Sequence, residues 1–277
     1  MDDILWNLPN VVELSDPQWH IGSFLLMVSY GAHFAFILYF ALSTFQLAPR
    51  YRIVTILSAV VMASAGLSLF REWSMWNAAY EFSTASGTWL PLQEGQTFSN
   101  VYRYGNWIIT VPILLTQLVL AFGLPRREGH KRATRMSIAA LLMIVTGLVG
   151  QFGDVNDFTL LNIWGVISTL FFVWLIIEVR ATTGAGAFHS PDPVKAWPGK
   201  LFWYFLFTWG LYPIAYAVPQ IRGLLGDGNT VLVQQAVFTV ADVSSKLIYG
   251  VILSRYCLRR SALEGEPGAV TAFGRYP

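Results

Sequence analysis

Long stretches free of Asp, Glu, Lys and Arg dominate the chain, and their lengths define its elements. Six of them cover residues 17–49, 53–70, 104–125, 136–153, 158–177 and 201–221. A membrane-spanning helix needs about 20 mostly apolar residues, so each is long enough to cross a bilayer. A seventh apolar stretch, near 230–256, is interrupted by Asp242 and Lys246. The polar connections are short, and no internal repeat or low-complexity segment stands out. The pattern predicts an all-α fold: one seven-transmembrane-helix bundle over 1–277, with a short segment outside it at about 1–18 and a tail at about 260–277.

Composition agrees. Of 277 residues 55% are hydrophobic and only 12% charged, too apolar for an ordinary soluble domain. This places the chain among membrane lipids as a multi-pass protein of the cell (inner) membrane. The net charge of +2 is a topology signal. Arg126, Arg127, Lys131, Arg132 and Arg135 share one loop, and Arg50, Arg52, Arg180, Lys195, Lys200, Arg255, Arg259 and Arg260 lie on the same side. Asp2, Asp3, Glu13, Asp16, Glu81, Glu94, Asp154, Asp157 and Asp227 gather opposite. By the positive-inside rule the basic side is cytoplasmic and the N-terminus extracellular, a parity that seven crossings satisfy. No concentrated basic surface suggests a nucleic-acid partner. The single Cys257 excludes an intramolecular disulfide and most metal sites. The first 17 residues carry two prolines and four acids without a basic start, unlike a cleaved signal peptide.

The chemistry lies in the seventh stretch. Asp242 and Lys246, four apart, share one helix face. An ionisable residue inside a membrane is costly and marks a functional site by default. A structural ion pair or a snorkelling lysine are the alternatives, and Lys246 sits too far inside its segment to snorkel easily. A buried lysine is a good amine for Schiff-base formation with an aldehyde, because desolvation exposes the nucleophile.

In the third stretch Arg103, Asn106, Thr110 and Gln117 fall within an arc of roughly 60°, forming one polar stripe on an apolar helix. From Asn106 to Gln117 the rise is about 16 Å, half the hydrocarbon thickness. Interhelical hydrogen bonding explains Thr110 or Gln117 singly but not a buried Arg103. Pro112 in the same helix is tolerable where neighbours satisfy the freed carbonyl.

The run Arg103-Tyr104-Gly105-Asn106-Trp107-Ile108-Ile109-Thr110-Val111-Pro112, with Asp242-Val243-Ser244-Ser245-Lys246, resembles the third and seventh helices of the microbial rhodopsins. Met143 and Gly147, Gly165, and Trp209, Tyr212 and Pro213 match positions at which that family encloses retinal, and Tyr216 is assigned to the same pocket. The resemblance implies all-trans retinal bound as a Schiff base to Lys246 and sandwiched by Trp107 and Trp209. Leu114 matches a tuning position where leucine accompanies green absorption.

Proton-pumping relatives place carboxylates where Asn106 and Gln117 stand, and amides neither take up nor release protons near neutral pH. The triplet Asn106, Thr110, Gln117 resembles the Asn-Thr-Gln signature of bacterial chloride-pumping rhodopsins. A sodium pump is expected to carry Asp at the position of Thr110. With a protonated Schiff base, Arg103 and Asp242 as the only charges, the site keeps one uncompensated positive charge, which a chloride or other halide would cancel. Asn106 and Thr110 are the expected anion donors, with Ser58 of the second helix matching a site serine. The resemblance thus implies a light-driven inward chloride pump, in which the anion passes from Asn106 and Arg103 toward Gln117 as retinal isomerises. A light-driven cation (sodium or proton) pump, a sensory photoreceptor and a light-gated channel are the rivals. No soluble catalytic domain argues for an enzyme, and a homo-oligomer is left open.

Other residues receive plainer readings. His33 is expected to be a hydrogen-bonded packing residue, and Glu178 an interfacial charge beside Arg180. Arg71 and Glu72 are expected to form a surface pair. Trp73, Trp76, Tyr80 and Trp89 suit an interfacial belt. The Ala48-Pro49-Arg50 turn is a candidate receiver for the departing anion, although positive-inside anchoring already explains Arg50.

Overall fold

The computed structural model describes residues 8–92, 97–153 and 156–264. Asp2, Asp3, Glu94, Asp154 and the tail beyond 264 lie outside the described residues. The helices are α1 Asp16–Ser43, α2 Arg52–Ala78, α3 Val101–Phe122, α4 Arg126–Val149, α5 Thr159–Phe188, α6 Trp197–Ala217, the short α7 Arg222–Leu225, α8 Asp227–Asp242 and α9 Tyr249–Leu263. A π-helical turn, Val243–Ile248, joins α8 to α9 and makes one span of 227–263. Seven spans are long and apolar enough to cross a membrane.

Consecutive helices pack on one another, and α8 closes the ring against α1 and α6. Leu38, Leu42, Val166, Leu170 and Phe207 project outward, well exposed, as a lipid-facing surface requires. The polar side chains go the other way: Arg103, Thr110, Gln117, Asp242 and Lys246 are all buried among the helices. Most of α3 is buried, as suits the helix that bears the polar stripe. It ends at Gly123, whose φ of 61° is the left-handed conformation that glycine adopts freely. There Arg260 Nη1 donates to the terminal Phe122 carbonyl at 2.6 Å, tying α9 to the end of α3.

One end of the bundle carries a small antiparallel sheet that the apolar pattern does not announce. Its strands are β1 Leu14–Ser15, β2 Tyr80–Ser83 and β3 Thr88–Pro91, ordered β1-β3-β2, with Leu14 opposite Trp89 and Ser83 opposite Thr88. Contacts at this end correct the aromatic-belt reading for Trp76 and Tyr80. Trp76 is fully buried and Tyr80 nearly so, with Trp76 Nε1 donating to the Trp19 carbonyl at 3.2 Å and Tyr80 Oη to the Pro9 carbonyl at 2.6 Å. Trp89 stacks on Trp19 with ring centroids 3.7 Å apart. These rings pack a cap onto the bundle. At the neighbouring loop the Thr159 hydroxyl and, at 2.9 Å, the Thr159 backbone N–H both donate to the Asp157 carboxylate, which holds that exposed carboxyl below the usual carboxylate range.

Candidate functional site

Lys246 sits inside the π-helical turn, and wide i→i+5 turns of this kind recur at functional sites. Tyr204 of α6 serves the turn, donating to the Ser244 carbonyl at 2.8 Å. Lys246 is 2% exposed. Its Nζ lies against Asp242 Oδ1 and donates to the Tyr212 hydroxyl at 2.9 Å. Tyr212 in turn donates to Asp242 Oδ1 at 2.9 Å and lies 2.8 Å from Ser245 Oγ. The lysine is therefore fixed at one point, with its polar partners on one side.

Lys246, Tyr212 and Ser245 also open onto a cavity of about 270 Å³. Trp107 and Leu114 of α3, Met143 and Gly147 of α4, Gly165 of α5, and Trp209, Tyr212, Pro213 and Tyr216 of α6 all line it, together with Lys246. The structure thus brings together every residue assigned to the pocket. Tyr104, Ser168 and Phe172 also line it and were not foreseen, since an aromatic or serine in a membrane helix has no distinguishing pattern of its own. Two glycines make room. A Cβ at Gly165 would fall 2.9 Å from Tyr216 Cε1, and one at Gly147 would fall 3.2 Å from Ser168 Oγ. An apolar slot walled by aromatic rings and ended by a single amine fits an elongated apolar aldehyde such as retinal.

Arg103 joins the lysine to a wider cluster. Its guanidinium is 2.5 Å from Asp242 Oδ2, 2.7 Å from Glu72 Oε2, 3.1 Å from Gln235 Oε1 and, through Nε, 3.4 Å from Asn100 Oδ1. Its carbon lies 5.0 Å over the Phe238 ring. Glu72 corrects the sequence reading twice. It is wholly buried, so Arg71 and Glu72 are not a surface pair, and exposed Arg71 instead lies over the Tyr102 ring. It also adds a carboxyl to the charge count: with Glu72 and Asp242 both ionised, they balance Arg103 and a charged nitrogen at Lys246. The uncompensated positive charge expected from sequence is therefore not fixed by side chains alone. Counting apolar stretches only to the first charge ended the second helix at residue 70, whereas α2 continues to Ala78 and carries Glu72 inside the bundle.

Asn106 and Thr110 lie together one turn along α3. Thr110 Oγ1 donates to the Asn106 carbonyl at 2.9 Å and is 3.3 Å from Asn106 Oδ1, while Asn106 Nδ2 donates to Ser64 Oγ at 2.8 Å. The α2 serine at Asn106 is thus Ser64. Ser58, expected there, lies nearer the start of α2, where it accepts from Gln117 Nε2 at 2.8 Å. Gln117 Nε2 also meets the Val54 carbonyl at 2.7 Å. His33 is buried with Nδ1 2.7 Å from the Ser29 carbonyl, as a packing residue would be. Glu178 is buried too, but its partners are Arg135 of α4 at 2.6 Å and Trp174 Nε1 at 3.1 Å rather than Arg180. In the Ala48-Pro49-Arg50 turn, the Ala48 N–H donates to Ser261 Oγ at 3.0 Å and Arg50 pairs with Glu264. Among the described residues no group of three or more His, Cys, Asp or Glu could hold a metal ion.

A seven-span bundle with a lysine at the end of an aromatic slot defines a class, and comparison with known proteins identifies it. The family model for bacteriorhodopsin-like protein matches residues 20–259, and the chain belongs to this family, the microbial (type 1) rhodopsins. The crystallographic structure of xanthorhodopsin, a light-driven ion pump with dual chromophore, superposes with a TM-score of 0.82 at 32% identity, covering 92% of this chain and 99% of that one. Archaerhodopsin-2 of Halobacterium sp. (strain aus-2) is 28% identical over 225 residues, 80% of this chain and 76% of the relative. The green-light absorbing proteorhodopsin of Gamma-proteobacterium EBAC31A08 is 24% identical over 188 residues, 67% of this chain and 71% of the relative. The family is one of retinal-binding, light-driven ion pumps and photoreceptors rather than enzymes, and the chain is an integral multi-pass protein of the cell membrane.

Proposed function

We propose that this protein is a light-driven inward chloride (halide) pump, with all-trans retinal on Lys246 and the N-terminus outside. One observation carries the choice of ion. Asn106 and Gln117 of α3, where proton-pumping relatives are expected to carry carboxylates, are amides held by α2 serines, Asn106 to Ser64 and Gln117 to Ser58, each at 2.8 Å. An amide bonded to a hydroxyl has no proton to give or accept near neutral pH, so the stripe lacks an acceptor and a donor for proton translocation. It does offer what an anion needs. Asn106 contributes an amide N–H, Thr110 and Ser64 contribute hydroxyls, and Arg103 supplies charge one turn away.

Retinal, joined to Lys246 as a Schiff base, supplies light absorption and an isomerisation that re-aims the nitrogen's N–H. The chain supplies the rest. Trp107 and Trp209 would confine the chromophore, Tyr212, itself braced by Ser245, holds Asp242 beside Lys246, and Asn106 and Arg103 would hold the resting anion, with Gln117 further along its path. With the chromophore as the switch, access to the anion would alternate between the Arg103 end and the Gln117 end.

The test is transport. Illuminated cells in unbuffered chloride medium should alkalinise, more strongly with an uncoupler, and not at all in sulfate. Acidification abolished by the uncoupler would instead identify an outward proton pump, and voltage-reversible current a channel.

We also infer that this protein takes a second chromophore, a carotenoid, beside the retinal slot, in line with the relative described as having a dual chromophore. Asn162, Val166 and Thr169, all exposed on the outer face of α5, line the same cavity beside Gly165, so the slot reaches the lipid-facing surface there. A fluorescence excitation spectrum of holoprotein reconstituted with carotenoid should show energy transfer to retinal. Gly165→Trp should remove it by filling the gap, and a spectrum without transfer in the parent protein would contradict the reading.

A further inference from the structure

Glu72 is the one charged member of the Arg103 cluster without a role in the reading above. It is completely buried, it comes from α2 rather than from the retinal-bearing helix, and its only ion-pair partner among the described residues is Arg103 Nη2, 2.7 Å from Oε2. Neither Glu72 oxygen makes a well-directed hydrogen bond to any described residue. Asp242 is anchored quite differently. It is held by Arg103, by Lys246 and by the Tyr212 hydroxyl together.

Four of the five N–H groups of the guanidinium face two carboxylates and two amides. An anion that comes close to Arg103 competes with the two carboxylates for its charge. Displacing Asp242 breaks three anchored contacts, whereas displacing Glu72 breaks one. We propose that Glu72 is a built-in competitor for the transported anion: it occupies Arg103 when halide is absent, and halide enters as Glu72 yields the guanidinium and takes up a proton. This rests on the anion-pump reading and adds to it a positioning residue that sets halide affinity and couples it to pH.

The physical reason for the proton is charge. The charged and titratable groups around Glu72 are Arg103 from α3, Asp242 and Lys246 from the seventh span, Tyr212 from α6, which bonds to Asp242 and Lys246, and His33 from α1, which interacts with Asp242. With both carboxylates ionised and the two nitrogens charged, the cluster is neutral, and an added halide leaves a buried surplus of negative charge. A proton on Glu72 removes that surplus and leaves a neutral acid that no longer competes. Proton and halide therefore bind together, and by linkage each strengthens the other. The sign follows directly. Raising the pH strips the proton from Glu72, restores the competitor and weakens halide binding, by up to about tenfold per pH unit when one proton accompanies one halide.

The experiment is a sodium chloride titration of the retinal absorption band in purified holoprotein, from pH 5 to pH 9, for the parent protein, Glu72→Gln and Glu72→Asp. In the parent and Glu72→Asp the chloride midpoint should rise with pH. In Glu72→Gln it should be about tenfold lower at the alkaline end and flat with pH. A purely structural role would shift stability without flattening the pH profile. A chloride response in the parent with an unchanged midpoint and slope in Glu72→Gln overturns the role of Glu72 alone. No chloride response in the parent overturns the anion-pump reading, and this proposal with it. Should Glu72→Gln fail to bind retinal, a parent midpoint independent of pH overturns the proposal by itself.

Discussion

The two ends of α3 are built on opposite principles. Around Arg103, two carboxylates and two amides converge on one guanidinium, and the lysine lies one residue-pair away through Asp242. About four turns further along the same helix, Gln117 is equally buried but meets only the Val54 carbonyl and the Ser58 hydroxyl. One end stores charge and the other is neutral. An ion attracted by the first has no matching site in the second, so the Gln117 end serves for passage rather than for storage. This asymmetry, with a light-switched group between the ends, is what a one-way device requires. The π-helical turn at Lys246 sits at the boundary between the two regions.

The most damaging change to this arrangement is Lys246→Ala, which removes the link to the chromophore. The absorption band should vanish entirely from the purified protein in the presence of retinal, and a retained visible band would dissociate Lys246 from the chromophore. Next in size is Arg103→Ala. It leaves Glu72 and Asp242 facing each other without their shared cation, and removal of one partner from a buried ion cluster costs about 3–5 kcal/mol. Thermal bleaching of the holoprotein should occur at markedly lower temperature, and Arg103→Ala combined with Glu72→Gln should recover part of the loss. Thr110→Asp probes the charged end more gently. It places a carboxylate where a halide is expected to rest, so the chloride-dependent shift of the band should be lost while the band itself remains.

The smallest effect belongs to the neutral end. Ser58→Ala removes one hydrogen bond from Gln117, but the Val54 carbonyl keeps the amide in place. A loss of about 1 kcal/mol in stability is expected, with unaltered chloride affinity and a change confined to the slower steps of the photocycle. An equal effect of Ser58→Ala and Thr110→Asp on chloride affinity would erase the distinction between the ends.

Much of this was legible in the chain. Helix-length apolar stretches announced the seven spans, because lipid forces each crossing segment to be long, apolar and internally hydrogen-bonded. The stripe of Arg103, Asn106, Thr110 and Gln117 and the Asp242–Lys246 spacing were visible because charged and polar residues are rare against such a background. What escaped depends on partners far apart in sequence. Glu72 looked like the end of its helix until α3 and α8 supplied Arg103 and Asp242 around it. Ser58 and Ser64 lie on one helix and only packing against α3 decides which meets Asn106 and which meets Gln117. Trp76 and Tyr80 read as interfacial aromatics because the partners that enclose them, Trp19, Phe98 and the Pro9 carbonyl, lie far off along the chain.

The central claim is that a halide rests beside the lysine-linked nitrogen at the Arg103 end. Its most direct test is a titration of the retinal absorption band with sodium chloride against sodium sulfate at matched ionic strength and fixed pH. The account predicts a saturable shift with chloride and none with sulfate. Identical spectra in the two salts would contradict it.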